Sequence, residues 1–97
     1  MARPEKLTDA AVKDALTAHP LWKREGKELV RTVDAKTFGG SIALVSMVAD
    51  RATWMDHHPD MLIRGNKVTF RLSTHDAGGI SALDVQLAAV IDGLAST

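Results

Sequence analysis

Two short strands meeting at Gly65-Asn66 constrain this 97-residue chain more than any other feature in it. Met61 to Arg64 and Lys67 to Leu72 each read as a strand, and Gly-Asn suits the two-residue loop of a β-hairpin. Along the second strand Val68, Phe70 and Leu72 alternate with Thr69, Arg71 and Ser73. Side chains on a strand point alternately to opposite faces, so this pattern gives one apolar face and one polar face. Histidine stands at both ends of the hairpin: His57 and His58, with Pro59, precede it, and His75 follows it. Three of the chain's four histidines therefore fall between Asp56 and Asp84. Imidazole titrates nearest neutrality of all side chains, which makes the segment a candidate acid/base site.

The rest of the chain supplies what such a hairpin must pack against. Residues 1–7 are polar and expected to fray. Thr8 and Asp9 start a helix whose apolar positions are Ala10, Ala11, Val12, Ala15 and Leu16, and Pro20 ends it near Ala18. Trp22 opens a short strand, Gly26 and its charged neighbours turn the chain, and Leu29 to Val33 form a second strand. A longer helix follows Thr37 and runs to Thr53 or Met55. Its apolar face is read from Phe38, Ile42, Val45 and Ala49, with Leu44 and Val48 as a flanking row. Gly39 and Gly40 in its first turn cost roughly 1 kcal/mol each against alanine, so packing must hold that end. A last helix begins at Ser81 with Leu83, Leu87, Val90, Ile91 and Leu94 as its stripe, and Ser81-x-x-Asp84 has the form of a capping box. The expected fold is an α+β two-layer sandwich, a four-stranded antiparallel sheet with three helices on one face in the order αββαββα. The uncovered sheet face or a strand edge is then a natural oligomer contact.

Composition narrows the function. The length suits one domain over residues 1–97, and the hydrophobic and charged fractions, 45% and 25%, are those of a soluble globular protein. Twelve basic and twelve acidic residues cancel, which argues against direct, non-specific nucleic-acid binding. With no cysteine, disulfides, thiolate metal sites and thiol nucleophiles are excluded. No apolar run approaches the ~18 residues of a membrane helix. The start has no apolar core of a secretory signal, so a cytoplasmic location is the default expectation.

Pro59 pushes His58 towards extended backbone, and adjacent extended residues point apart, so His57 and His58 share a pocket only if the chain turns there. Taken alone, H-H-P reads more simply as two polar residues in a loop, and His75 alone as a solvated loop residue. Their placement at one end of the hairpin brings a joint role level with the loop reading, and Gly78-Gly79 after His75 suits a pocket wall. Asp56, Asp60 or Asp76 with the histidines could imitate a metal site. Adjacent His-His is poor ligand spacing, however, and no i, i+4 pair is present, so no metal is expected. Asp84 is explained as a helix cap and could also orient a histidine. Trp22 and Trp54 read as core or interface residues, and His19 has no assigned role.

D-H-H-P-D at 56–60, N-K-V-T-F-R-L-S-T-H at 66–75, D-A-G-G-I-S at 76–81 and Asp84 together resemble the pterin-4a-carbinolamine dehydratase family. The likeness extends more weakly back through Trp22 and Phe38. It implies a hydro-lyase that converts 4a-hydroxytetrahydropterin to quinonoid dihydropterin and water, recycling the cofactor of aromatic amino acid hydroxylases without a metal or cofactor of its own. The family's pocket histidines fall on His57, His58 and His75. Its pterin-contacting segments fall at His57, His58 and Pro59 and at Thr74, His75, Asp76 and Ala77. His57 and His75 are then the expected acid/base pair, with His58 positioning or sharing the role and Asp84 orienting a histidine. Two positions depart from the family: Thr53 stands where it usually has Glu, and Gly65 where it usually has an aromatic. The resemblance also implies a homodimer or homotetramer. Relatives that act as a transcription-factor dimerisation cofactor or a RuBisCO assembly factor make a catalytically weak or inactive protein-binding module the alternative.

Overall fold

Helix-starting residues and turn glycines set many of the element boundaries in the computed structural model, which describes residues 4–96. Helix α1 (Asp9–Ala18) starts at Thr8, whose Oγ1 accepts from Ala11 N at 3.1 Å. After it come strands β1 (Lys23–Glu25) and β2 (Glu28–Asp34), helix α2 (Phe38–Met55), strands β3 (Asp60–Arg64) and β4 (Lys67–Leu72), a 3-10 turn at His75–Ala77, and helix α3 (Ala82–Ala95). β1 begins one residue after Trp22, because Trp22 N is used to close the turn onto His19 O at 3.1 Å. The two hairpins are built alike: Glu25 pairs with Glu28 and Arg64 with Lys67. The first loop residue in each, Gly26 or Gly65, sits at φ +59, a region other residues enter at a cost.

The strands form one antiparallel sheet in the order β1-β2-β4-β3. Leu29, Val33, Val68, Phe70 and Leu72 point to the helix side and merge with Val12, Trp22, Leu44, Val48, Leu87, Ala88 and Ile91 into one core. Burying a side chain such as Phe70 or Leu72 completely stabilises the fold by about 1.5–3 kcal/mol. The expected sandwich and element order are what the chain adopts.

Two local expectations are corrected. Residues 4–7 are not frayed: Leu7 N donates to Ile80 O at 2.8 Å, and Lys6 pairs with Ser81, which adds a short backbone contact beside α3. Residues 1–3 lie outside the described residues. On α2 the buried row is Ser41, Leu44, Val48 and Ala52, while Phe38 and Ile42 are 61% and 45% exposed. The helix carries two neighbouring apolar rows, and periodicity alone does not choose between them. The choice is made by polar anchors. Ser41 Oγ donates to Gly65 O at 2.8 Å, and Gly40 lies so close to Ala35 that a Cβ there would stand 2.3 Å from its carbonyl oxygen. With Met47 and Trp54, Phe38 and Ile42 make α2 the main carrier of exposed apolar side chains. The open sheet face, by contrast, is mostly polar, with Thr32, Thr69 and Arg71 on it beside the exposed Leu62. Among the described residues no helix is long and apolar enough to cross a membrane.

Candidate active site

The way α2 ends decides where His57 goes. Asp56 takes the left-handed conformation (φ 50, ψ 42), a region that Asp tolerates better than most residues, and its N–H donates to the last carbonyls of the helix. His57 N then donates to Ala52 O at 3.0 Å. The chain turns under the N-terminus of α3, so His57 is buried while His58 is exposed. The turn thus separates the two adjacent imidazoles, as extended geometry at a residue before proline requires.

Behind His57 lies a sealed polar cluster. His57 Nε2 and Asp84 Oδ1 are 2.5 Å apart. Asp84 Oδ2 accepts from Thr74 Oγ1 at 2.8 Å and from Ser81 N at 2.9 Å, and Thr74 Oγ1 stands 2.7 Å from Ser81 Oγ. Asp84 and Ser81 are fully buried and Thr74 nearly so. Asp84 is therefore both the capping-box residue of α3 and the partner of His57. Facing an ionised carboxylate, which only accepts, Nε2 of His57 would be the donor of this bond. Among the described residues the other ring nitrogen, Nδ1, has no protein partner and keeps contact with solvent.

His58 and His75 face a cavity of about 500 Å³ on the open side of the sheet. Its other walls are Glu25, Lys27 and Glu28 of the first hairpin, Asp60 of β3, Arg71 and Ser73 along β4, and Gly78-Gly79. That volume suits a small ligand. Arg71 Nη1 donates to Glu25 (3.1 Å) and Glu28 (3.3 Å), tying the hairpin tip to β4. The bond to Glu25 is the larger cause of a guanidinium pKa held above its ordinary value, with Glu28 adding to it. Gly78 takes φ +75, which lets the loop close as part of the wall.

Of the residues expected from sequence, the structure brings His58 and His75 to one cavity and sets His57 and Asp84 together behind it. Thr74 spends its hydroxyl on Asp84 and Ser81 and its backbone on Ala77 and Gly79, so it shapes the site rather than offering a free polar group to a ligand. Pro59, Asp76 and Ala77 adjoin the cavity in sequence but do not line it. Among the described residues no three His, Asp or Glu side chains converge in a metal-binding group. Arg71, Ser73, Asp60 and the first-hairpin residues were not singled out from sequence. For Arg71 and Ser73 a signal existed, since residues 71, 73 and 75 alternate onto one face; for Glu25, Lys27 and Glu28 none did, because their approach depends on β2 pairing with β4. The two departures from the resembled family fall in different places. Thr53 turns its hydroxyl back to Ala49 O at 2.9 Å, and Gly65 sits at the hairpin tip, the end away from His58 and His75.

Fold and site together define a small α+β protein with a histidine-walled cavity on an antiparallel sheet. A sequence profile of the pterin 4 alpha carbinolamine dehydratase family matches residues 5–94. The chain belongs to that family. It is 50% identical over 91 residues to a Nocardia farcinica protein (94% of this chain, 96% of that one) and 45% identical over 91 residues to one from Thermosynechococcus vestitus (94% and 96%). Both names assign those proteins to pterin-4-alpha-carbinolamine dehydratase. The crystal structure of a transcriptional coactivator/pterin dehydratase from Brucella melitensis superposes with a TM-score of 0.90 at 27% identity, covering 94% of this chain and 99% of that one.

Proposed function

We propose that this chain dehydrates a 4a-hydroxytetrahydropterin to quinonoid dihydropterin and water, and so serves cytoplasmic recycling of the pterin used by aromatic amino acid hydroxylases. The observation that carries the reading is the sharing of one ligand-sized cavity by His58 and His75, with His57 anchored on Asp84 behind it. In the reaction a base takes the proton on N5, the C4a–N5 double bond forms, and the C4a–O bond breaks. An acid gives its proton to the departing oxygen, which leaves as water. Positioned acid/base groups of this kind contribute about 10²–10⁴-fold. His57, with its Nε2 proton fixed on Asp84, suits the base; His58 and His75, at the cavity wall, suit the acid and the contacts that hold the ring. Pro59 and the segment from Thr74 to Ala77, which adjoin these histidines in sequence, hold them in place against the substrate. Stopped-flow decay of the 4a-carbinolamine absorbance tests this: acceleration above the spontaneous rate is expected, and none would sink the dehydratase reading.

A second reading, a protein-binding module, is favoured by the exposed apolar side chains of α2, Phe38 and Ile42 on one flank and Met47 and Trp54 on the other, and by the coactivator designation of the Brucella protein. These exposed α2 side chains suit a homodimer or homotetramer better than the largely polar sheet face does. Light scattering that finds only monomer at micromolar concentration would overturn the homo-oligomer.

A further inference from the structure

The two hydroxyls behind Asp84 have a fixed donor order. Thr74 Oγ1 gives its single proton to Asp84 Oδ2, so in its contact with Ser81 it must accept. Ser81 Oγ accepts from Leu83 N at 3.2 Å and gives its own proton to Thr74. The run is therefore directed, from Ser81 to Thr74 to Asp84 and on to His57. Ser81 N reaches the same Oδ2, so that oxygen is held from two sides and Oδ1 is left to face His57 Nε2. Hydrogen bonds in such a buried chain polarise and orient one another.

We propose that Thr74 and Ser81 are positioning residues for the reaction. Through Asp84 they lock His57 as its Nε2–H tautomer, so that Nδ1, the nitrogen open to solvent, is its one basic atom and His57 enters the dehydration as proton acceptor. This rests on the dehydratase reading above and adds to it what sets the direction of proton transfer. A capping box alone would explain Ser81 N and Asp84. It does not explain the Thr74 hydroxyl, which makes no capping bond to the 3-10 turn it precedes yet bonds both Ser81 Oγ and Asp84 Oδ2.

The test is Thr74→Val, which keeps the shape and removes the proton, with Thr74→Ser as the conservative rescue and Ser81→Ala as the second variant. Long-range ¹H–¹⁵N correlation of the imidazoles, with His57 assigned by comparison with His57→Gln, reports the tautomer without any turnover. The intact protein is expected to show His57 as a single Nε2–H form. Thr74→Val is expected to show a mixture and to lose about three- to tenfold in kcat with KM within twofold, and Thr74→Ser to restore both. An Nδ1–H form in the intact protein overturns the proposal with no variant needed. So does a Thr74→Val protein with unchanged tautomer and kcat, or, should that variant not fold, a Ser81→Ala protein with both unchanged. If the intact protein has no dehydratase activity the reaction assigned above falls, while the tautomer spectrum still decides whether the relay holds His57.

Discussion

Asp92 joins three parts of the fold, and replacing it by alanine measures what that junction contributes. Its Oδ1 accepts from Trp22 Nε1 at 2.8 Å and from Arg31 Nη1, and its Oδ2 lies 3.5 Å from His19 Nδ1. The end of α1, the residue before β1, strand β2 and helix α3 thus meet on one carboxylate. Asp92 is 26% exposed and Arg31 14%, while Trp22, at 3%, belongs to the core. Hydrogen bonds to a charged group are worth about 1.5–3 kcal/mol, and a buried donor left without a partner costs about 1–3 kcal/mol. Asp92→Ala removes the acceptor from a core indole and from a mostly buried guanidinium. Allowing for the part of Asp92 that water reaches, the expected loss is about 2–4 kcal/mol. In a chain of this size that lowers Tm by on the order of 10–25 °C. Trp22→Phe keeps the ring volume and removes only the N–H, so it should cost about 0.5–1.5 kcal/mol for the bond in addition to the packing change. Urea and thermal unfolding followed by circular dichroism give both values, and the double variant closes the cycle. Because the two changes share one bond, the double variant should lose less than the sum, by roughly 1 kcal/mol. An Asp92→Ala protein within 1 kcal/mol of the parent, or strictly additive losses, would show that the junction is a surface contact without consequence.

Other consequences follow from single positions. His58→Ala and His75→Ala should each lower kcat/KM, with at least one falling by about 10²-fold or more, while Tm stays within a few degrees because both side chains are exposed; unchanged turnover in both would remove the cavity from the chemistry. Two helix glycines should respond with opposite signs in urea unfolding. Gly40→Ala brings a Cβ to 2.3 Å from Ala35 O and should cost about 1–3 kcal/mol, whereas Gly93→Ala meets nothing within 4 Å and should stabilise by about 0.5–1 kcal/mol. Asp34 accepts first from Lys36 N and then from Asn66 Nδ2 and Lys67 Nζ, which together hold its carboxyl below the ordinary 3.8. A depressed folded pKa gives stability that is present above 3.8 and lost as pH falls through the lower folded value. The urea midpoint of Asp34→Ala should therefore trail the parent at pH 7, and the gap should narrow only below pH 3.8; a gap that is constant down to pH 2 would contradict the assignment.

What could be read from the sequence was whatever local chemistry decides. The hairpin at Gly65-Asn66 was legible because a two-residue loop and strand alternation are short-range, and Thr8, Thr37 and Ser81 cap their helices as their side chains require. The buried row of α2 was not, since Phe38-Ile42-Val45-Ala49 and Ser41-Leu44-Val48-Ala52 have almost the same spacing. The tie is broken by Ser41 bonding to Gly65, 24 residues away, and by the close approach of Gly40 to Ala35. Nor could the strand pairing that brings the first hairpin to the second be seen in either one alone. That pairing places Glu25 and Glu28 on Arg71 and closes the cavity.

The histidines show the same division at finer grain. Sequence placed three imidazoles at one end of a hairpin, and adjacency in an extended chain implied that His57 and His58 would diverge. The divergence assigns the work: one ring goes inward to a carboxylate and the other outward to a cavity, and a ring held by a carboxylate has its tautomer set while a solvated ring does not. Asp84 was legible as a cap because S-x-x-D is a local pattern, yet the cap is also what aims it. Binding Ser81 N fixes the Oδ2 edge of the carboxylate, and the opposite edge is then left for His57. The departures at Thr53 and Gly65 bear on the site less than their proximity in sequence suggests. Thr53 satisfies its hydroxyl within α2, and Gly65 answers to a turn that demands positive φ at the far end of the hairpin. The chemistry proposed for this cavity therefore depends on the His57–Asp84 pair and on His58 and His75, none of which is hydrogen-bonded to either position through its side chain.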